Sequence, residues 1–382
     1  MISAVTKAPT GRDQVCTRCV MDRSDPEITF DAAGLCSHCQ RYDALFRSTV
    51  ERADAGLREP ELEALVDGIK AVGRGKQYDC IVGVSGGVDS TYVLWTAKQR
   101  GLRPLAVHFD SGWNSELAVN NIESITRRLD VDLYTDVVNW PEMRDLQLAF
   151  LRSGVPNADT PTDHAFPAVA FAQAKKYDVK HVLTGSNYAT EGVLPRAWGY
   201  QAGDARHLRD VHKQFGERPL TSYPVLGLLK KDVYYRYVAR IRTVPLLNYL
   251  PYDKRRVKQL ITEELGWRDY GGKHYESVFT RFFQGYYLPE RFGYDKRRAH
   301  LASLINSGQA TREQALLELQ EPSYSLEQQA ADKAFVAKKL GITTAGFDDI
   351  LAAPTRTHRD YVSCELLYAR LFRLRSAVRR SA

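Results

Sequence analysis

Val82-Gly83-Val84-Ser85-Gly86-Gly87-Val88-Asp89-Ser90-Thr91-Tyr92 is the stretch whose reading decides the fold of this chain. The apolar run Cys80, Ile81, Val82, Gly83 and Val84 predicts a buried strand. Just beyond the turn, Val93, Leu94 and Ala97 recur at helical spacing. A strand, a tight Ser/Gly turn and a helix start together make an anion hole. Adjacent glycines let the backbone approach a phosphate closely, and the helix start turns unpaired N–H groups and positive dipole toward it. A surface Gly-rich turn or a Ser/Asp helix cap would use the same residue types. Here, however, strand, turn and helix all sit where a phosphate needs them. The spaced glycines and Lys-Ser/Thr of a Walker loop are absent.

Outward from this turn, strand and helix patterns alternate. Residues 105–109, 131–137 and 181–183 read as strands, and 51–70, 117–129 and 166–176 as helices. Such alternation predicts an α/β, doubly wound parallel sheet with ligands at the carboxyl ends of its strands. His108, Asp110 and Ser111 close the second strand. Thr184, Gly185, Ser186 and Asn187 close a later one, with Glu191 just beyond, and Asp163 and His164 precede a helix. Each of these also reads as a turn or cap residue. Lys230-Lys231 opens a helix, and Lys230 is a candidate to neutralise phosphate charge or simply a solvated helix start.

Four of the six cysteines form Cys16-x-x-Cys19 and Cys36-x-x-Cys39. Two such hooks predict a tetrahedral site of four thiolates, with structural Zn2+ as the reading and an iron–sulfur cluster as the alternative. Disulfides are disfavoured because nothing indicates secretion. A closed four-Cys shell leaves no open coordination position for catalysis. It would supply the folding free energy of a segment too short to bury a core. His38, inside the second hook, is a possible substitute ligand or a solvated residue, while Cys80 and Cys364 read as core.

At 382 residues the chain suits two or three domains: a knuckle over 1–50, a helical linker over 51–76, a nucleotide domain over 77–250, and a helical substrate and partner region over 251–382. With 44% hydrophobic and 26% charged residues it reads as soluble and globular. The absence of a long apolar run or a signal-like start predicts a cytoplasmic protein with no membrane partner. A net charge of +7 suits anionic substrates and does not by itself argue for nucleic acid. Tyr-Asp-Lys-Arg-Arg occurs twice, at 252–256 and 294–298, which does not establish a repeat architecture. Lys273, His274, Glu276, Thr280 and Arg281 fall together on a late aromatic stretch. They would suit a nucleotide diphosphate or anionic sugar.

The Ser-Gly-Gly-x-Asp-Ser turn resembles the pyrophosphate loop of the PP-loop ATP pyrophosphatases, the adenine nucleotide alpha hydrolase-like superfamily. The Cys-Thr-Arg-Cys-Val-Met-Asp opening, this loop, and the Gly-Lys-His-Tyr-Glu-Ser…Thr-Arg-Phe segment occur in that order. Together they resemble the N-acetyl sugar amidotransferases of surface polysaccharide synthesis, the WbpG-like family, from Cys16 to about Glu321. The resemblance implies an AMP- and pyrophosphate-forming C–N ligase that turns the acetamido group of a nucleotide-linked sugar into an acetamidino group. It implies ATP and Mg2+ held by Ser85, Gly86, Gly87, Val88, Asp89 and Ser90. His108, Asp110 and Ser111 would serve the adenine side, and Thr184, Gly185, Asn187 and Glu191 the AMP and metal side. It further implies ammonia from a separate glutaminase with a companion resembling a histidine-biosynthesis synthase. Two rivals remain: a tRNA thiolation enzyme, which normally needs extra cysteines near the adenylation site, and a zinc-organised scaffold that binds ATP without turnover.

Overall fold

The computed structural model describes residues 14–272 and 275–367. Five strands form one wholly parallel sheet: β1 Cys80–Gly83, β2 Pro104–Asp110, β3 Leu133–Val137, β4 His181–Thr184 and β5 Arg242–Pro245, in the order β3-β2-β1-β4-β5. The doubly wound reading therefore stands. The winding reverses between β1 and β4, which opens a crevice at their carboxyl ends. β5 escapes sequence reading because only Val244 of its residues is buried, so it carries no apolar run.

Alternate residues of the central strands feed opposite faces. Ile81, Leu105, Val107 and Val182 join one core, which continues through Phe171 into Phe279, Phe282, Phe283 and Tyr287. Cys80, Val82, Ala106 and Leu183 join the other, with Leu94, Ile122, Ile261 and Trp267. The late aromatic residues thus extend the core of the sheet.

The helix after β1 is Val88–Gln99 and the one after β2 is Glu116–Leu129. The region read as one helix over 51–70 is two, Arg47–Asp54 and Glu59–Gly73. The helix expected from 166 begins at Thr160 and runs to Lys176. Pro161 lies in its first turn, where a missing N–H is harmless. Thr160, Asp163 and His164 therefore belong to the helix and not to the loop before it. Lys230 opens a π-helical segment, Leu229–Val238.

Both Tyr-Asp-Lys-Arg-Arg copies open helices. Asp253 accepts from the Arg256 N–H at 2.9 Å at the head of Lys254–Leu265. Asp295 accepts from the Arg297 N–H at 3.0 Å at the head of Lys296–Asn306. The shared sequence is a capping device, with the aspartate side chain satisfying an orphan donor.

The cysteine-bearing segment docks on this C-terminal part. Its core includes Val193, Trp198, Ala299 and Ala302. Arg312 Nε donates to the carbonyls of Cys16 and Cys19 at 3.1 and 3.2 Å. Farther along, Arg281 on Val278–Phe282 forks onto Asp332 on Leu326–Leu340, at 2.8 and 2.7 Å. Among the described residues, no helix is long and apolar enough to cross a membrane.

The Arg281–Asp332 fork is buried at the carboxylate, whose side chain is 4% exposed. Asp332→Ala leaves the guanidinium with its fork unmet. It should lower unfolding free energy by about 3 kcal/mol, read as a lower denaturant midpoint in equilibrium unfolding.

Candidate active site

Gly86 sits in the left-handed region at φ +80°, a conformation that glycine adopts without the Cβ penalty. Its carbonyl is held by two donors from the segment after Lys254–Leu265: Trp267 Nε1 at 2.8 Å and the Tyr270 hydroxyl at 2.6 Å. Asn121 fixes that segment in turn, donating to the Arg268 carbonyl at 2.8 Å and accepting from its N–H at 3.0 Å. With the Gly86 carbonyl turned into protein, the loop closes on itself through its hydroxyls. Ser90 Oγ accepts from the Ser85 N–H at 3.2 Å and donates to the Gly87 carbonyl at 3.2 Å, and Ser85 Oγ accepts from the Gly87 N–H at 3.3 Å.

The N–H groups of Val88, Asp89 and Ser90 begin a helix and have no acceptor within it. The end of β4 lies against them. A Cβ on Gly185 would meet Asp89 Cβ at 2.9 Å and Ser90 N at 3.1 Å. The two strand ends thus frame a cradle that only a residue without a side chain leaves open, as a phosphate site at a switch point requires.

A cleft of about 1230 Å3 opens from this cradle. Ser85, Gly87, Val88, Asp89, Ser90, His108, Ser111, Thr184, Gly185 and Glu191 line it, together with Asp163, Glu276, Thr280 and Arg281. Most of the expected site residues therefore meet in one place. His108 is buried, and burial pushes its pKa down. Its Nδ1 lies 2.8 Å from the Val84 carbonyl and its Nε2 2.9 Å from Asn114 Nδ2. Asp110 Oδ1 accepts from the Gly112 N–H at 2.8 Å and from Asn114 Nδ2 at 3.0 Å. Asn187 caps Tyr188–Glu191, accepting from the Thr190 N–H at 2.8 Å.

Other expected residues are committed elsewhere. His164 is fully buried with both ring nitrogens engaged, Nδ1 at 2.7 Å from the Ala202 carbonyl and Nε2 accepting from the Leu226 N–H at 2.9 Å. Lys230 is exposed, with its ammonium 5.9 Å from the Tyr235 ring centre. Among the described residues, the lysines that do reach the cleft are Lys254, Lys258 and Lys296, the first and last of them the lysines of the repeated pentapeptide. Arg281 reaches the cleft wall with its fork on Asp332. Lys273 and His274 lie outside the described residues.

Tyr252 is a candidate site residue that sequence reading missed. Its hydroxyl donates to Asp89 Oδ1. Burial first, then the Asp89 and Glu191 carboxylates, push the phenol pKa up. Two carboxylates converging on one buried phenol supply hard oxygen donors of the type Mg2+ prefers. The signal was present in the first pentapeptide copy, whose Tyr is the residue before the Asp cap.

The four expected metal ligands converge. Cys16, Cys19, Cys36 and Cys39 are buried, and their Sγ atoms lie within 4.8 Å of one another. Cys16–Cys39 and Cys19–Cys36 are 3.9 and 3.7 Å apart. A tetrahedral zinc with Zn–S near 2.3 Å requires sulfurs about 3.8 Å apart. The set is compatible with a single structural zinc ion. Backbone N–H groups of Cys36 and Met21 donate to Cys16 Sγ and Cys19 Sγ at 3.3 and 3.4 Å, which favours thiolates. His38 turns away, its Nε2 2.7 Å from Asp25.

Gly185→Val should fill the cradle and weaken ATP binding about tenfold or more, ~1.4 kcal/mol, with far-UV circular dichroism unchanged; isothermal titration calorimetry reads it. Cys36→Ser should remove one equivalent of zinc by elemental analysis and lower Tm by about 5 °C or more, because the docked helix Lys296–Asn306 loses its support.

Two family models match the chain. Residues 79–195 match the queuosine biosynthesis protein QueC, of the PP-loop type, and residues 276–375 match the C-terminal domain of LPS biosynthesis protein WbpG-like proteins. No curated protein matches. The first match spans β1, the cradle and β4, and the second begins at Glu276, which lines the same cleft and lies against Gly87 of the loop. A PP-loop domain implies ATP and Mg2+. The sheet, the loop geometry and both matches agree on an ATP-utilising enzyme with a PP-loop-type nucleotide domain, followed by a region similar to the C-terminal domain of WbpG-like proteins.

Proposed function

We propose that this protein is an ATP-dependent amidotransferase. It adenylates the acetamido oxygen of a nucleotide-linked N-acetyl sugar and replaces that oxygen with ammonia, releasing AMP and pyrophosphate. The setting is lipopolysaccharide O-antigen or related surface-glycan synthesis. The observation that carries this reading is one cleft of about 1230 Å3 lined both by the loop and by the segment that begins the WbpG-like match. Sites for one small ligand run to about 1,000 Å3, and a larger cleft supports a second substrate beside ATP.

An amide oxygen is a poor leaving group, and adenylation makes it a good one. Ser85, Gly86, Gly87 and Ser90, with the helix start behind them, hold the departing pyrophosphate. Asp89 and Glu191 would hold Mg2+, which when bound offsets charge on the phosphate oxygens. Lys254 and Lys296 take the phosphate-neutralising role expected of Lys230, whereas Lys258 pairs with Asp269 at 2.7 Å. Glu276 and Thr280 stand on the sugar side, and Lys273 and His274 belong to the same segment. Preorganised donors and charge supply the stabilisation, and no covalent protein nucleophile is required.

Ammonia comes from outside the chain in this reading. Four cysteines form the cluster, and Cys80 and Cys364 are buried, which leaves no exposed thiol for glutamine hydrolysis or for the sulfur chemistry of tRNA thiolation. Burial pushes the Cys80 thiol pKa far up. A separate glutaminase with its synthase-like companion, in the cytoplasm, supplies the missing reactant.

The test is pyrophosphate release from ATP with ammonium and UDP- or CMP-linked acetamido sugars, wild type beside Asp89→Ala, with mass spectrometry of the sugar. Sugar-dependent release and a product about one dalton lighter, as oxygen gives way to NH, are expected, both lost in the variant by about 100-fold or more. Turnover of tRNA with a sulfur donor and of no sugar would overturn the reading.

A further inference from the structure

Asp159 stands at the start of the helix Thr160–Lys176 and lines the cleft. That helix leads into β4 and so runs antiparallel to it, which brings its first turn to the carboxyl edge of the sheet, beside the cradle. Asp163, one helical turn on, falls on the same face and also lines the cleft. Asp159 is 5% exposed. Its Oδ2 accepts from the Thr280 hydroxyl at 2.8 Å, whereas its Oδ1 is buried with no hydrogen-bond partner. A buried carboxylate oxygen without a donor is costly, and a ligand N–H reaching it from the cleft would remove that cost.

We infer that Asp159 is a catalytic residue, whose unpartnered Oδ1 takes the N–H of the substrate's acetamido group and accepts its proton. The assignment rests on the amidotransferase reading. As the acetamido oxygen forms its bond to the α-phosphorus, the bond from that phosphorus to the pyrophosphate oxygen breaks, and pyrophosphate leaves with the electron pair. The amide proton passes to Asp159, leaving a neutral O-adenylyl imidate. When ammonia adds to the imidate carbon, Asp159 returns its proton to the same nitrogen and accepts one from the incoming nitrogen. AMP then departs with the C–O electron pair and leaves the amidinium. No oxidant or reductant is involved.

The surroundings suit this role. Burial first, then the charge of Asp163, raise the Asp159 pKa from 3.8 to about 7, against the hydroxyls of Thr280 and Thr162 and the ammonium of Lys296, which favour the carboxylate. Tyr223 also faces the pair, but its hydroxyl donates to the Pro161 carbonyl at 2.5 Å. A group that exchanges its proton near neutral pH is well placed to act as base and then acid. The sign for stability follows. Between pH 4 and about pH 7 the folded chain holds this proton more tightly than the unfolded chain. Stability therefore falls as pH rises through that window and stays lowered above it.

The test compares wild type, Asp159→Asn and Thr280→Val in sugar-dependent pyrophosphate release across pH 5–9, with ATP affinity and melting curves measured in parallel. Wild type should lose rate below an apparent pKa near 7. Asp159→Asn should lose about 100-fold or more in kcat and lose that acid limb, with ATP affinity unchanged. It should also melt higher than wild type at pH 8, by a margin that shrinks toward pH 5. Thr280→Val, which removes a hydrogen bond to the carboxylate, should shift the limb to higher pH. An Asp159→Asn enzyme with wild-type kcat, or with its acid limb retained, would overturn the assignment while leaving the amidotransferase reading intact. Should Asp159→Asn fail to fold, an unmoved limb in Thr280→Val would overturn it equally. A wild type that acts on tRNA and on no sugar would overturn the reading and the assignment together.

Discussion

The hydrogen-bonded carbonyl of Gly86 is the constraint on which the site depends. A glycine at φ +80° could flip its peptide at little cost, and a flipped carbonyl would point at the phosphate it should cradle. Trp267 and Tyr270 both donate to that carbonyl, and Asn121 holds the segment that carries them. The anion hole is therefore fixed from outside its own motif, by residues far downstream in sequence. Buried in the core of one face of the sheet, Trp267 also ties loop geometry to the folding of the whole domain.

The same dependence recurs around the cleft. Thr280 reaches across to Asp159, Tyr252 to Asp89, and Arg312 to the backbone of the cysteine hooks. Each is a polar contact between the C-terminal region and an earlier part of the chain, and each leaves a buried group unmet if that region shifts. The C-terminal aromatic residues complete the apolar core on one face, and its polar residues complete the site. This coupling explains why the region shares one cleft with the loop.

Much of the outline was legible in sequence. β1, β2 and the helix after β1 are announced by uninterrupted apolar runs and helical spacing, because both faces of the central strands are buried. The two CxxC hooks bring four thiols together because their spacing permits little else. Less was legible where packing decides. β5 is too short and too exposed to leave a pattern. The prolines at 161 and 167 disguised a continuous helix. His164 and Lys230 had residue types fit for a site, yet His164 is spent on two backbone groups and Lys230 lies over a tyrosine.

The sequence by itself determined what is local: a strand, a glycine turn and a helix that make an anion hole, four thiols for one ion, and an alternation that winds a parallel sheet. Those follow from φ/ψ preferences, periodicity and ligand spacing within a few residues. Only the tertiary structure decided which charges enter the cleft, which histidine is spent on the scaffold, and that Tyr252 reaches Asp89 and Asp159 lines the cleft. Those outcomes depend on burial and on partners more than a hundred residues away, such as Thr280 on Asp159, and neither composition nor local pattern encodes them.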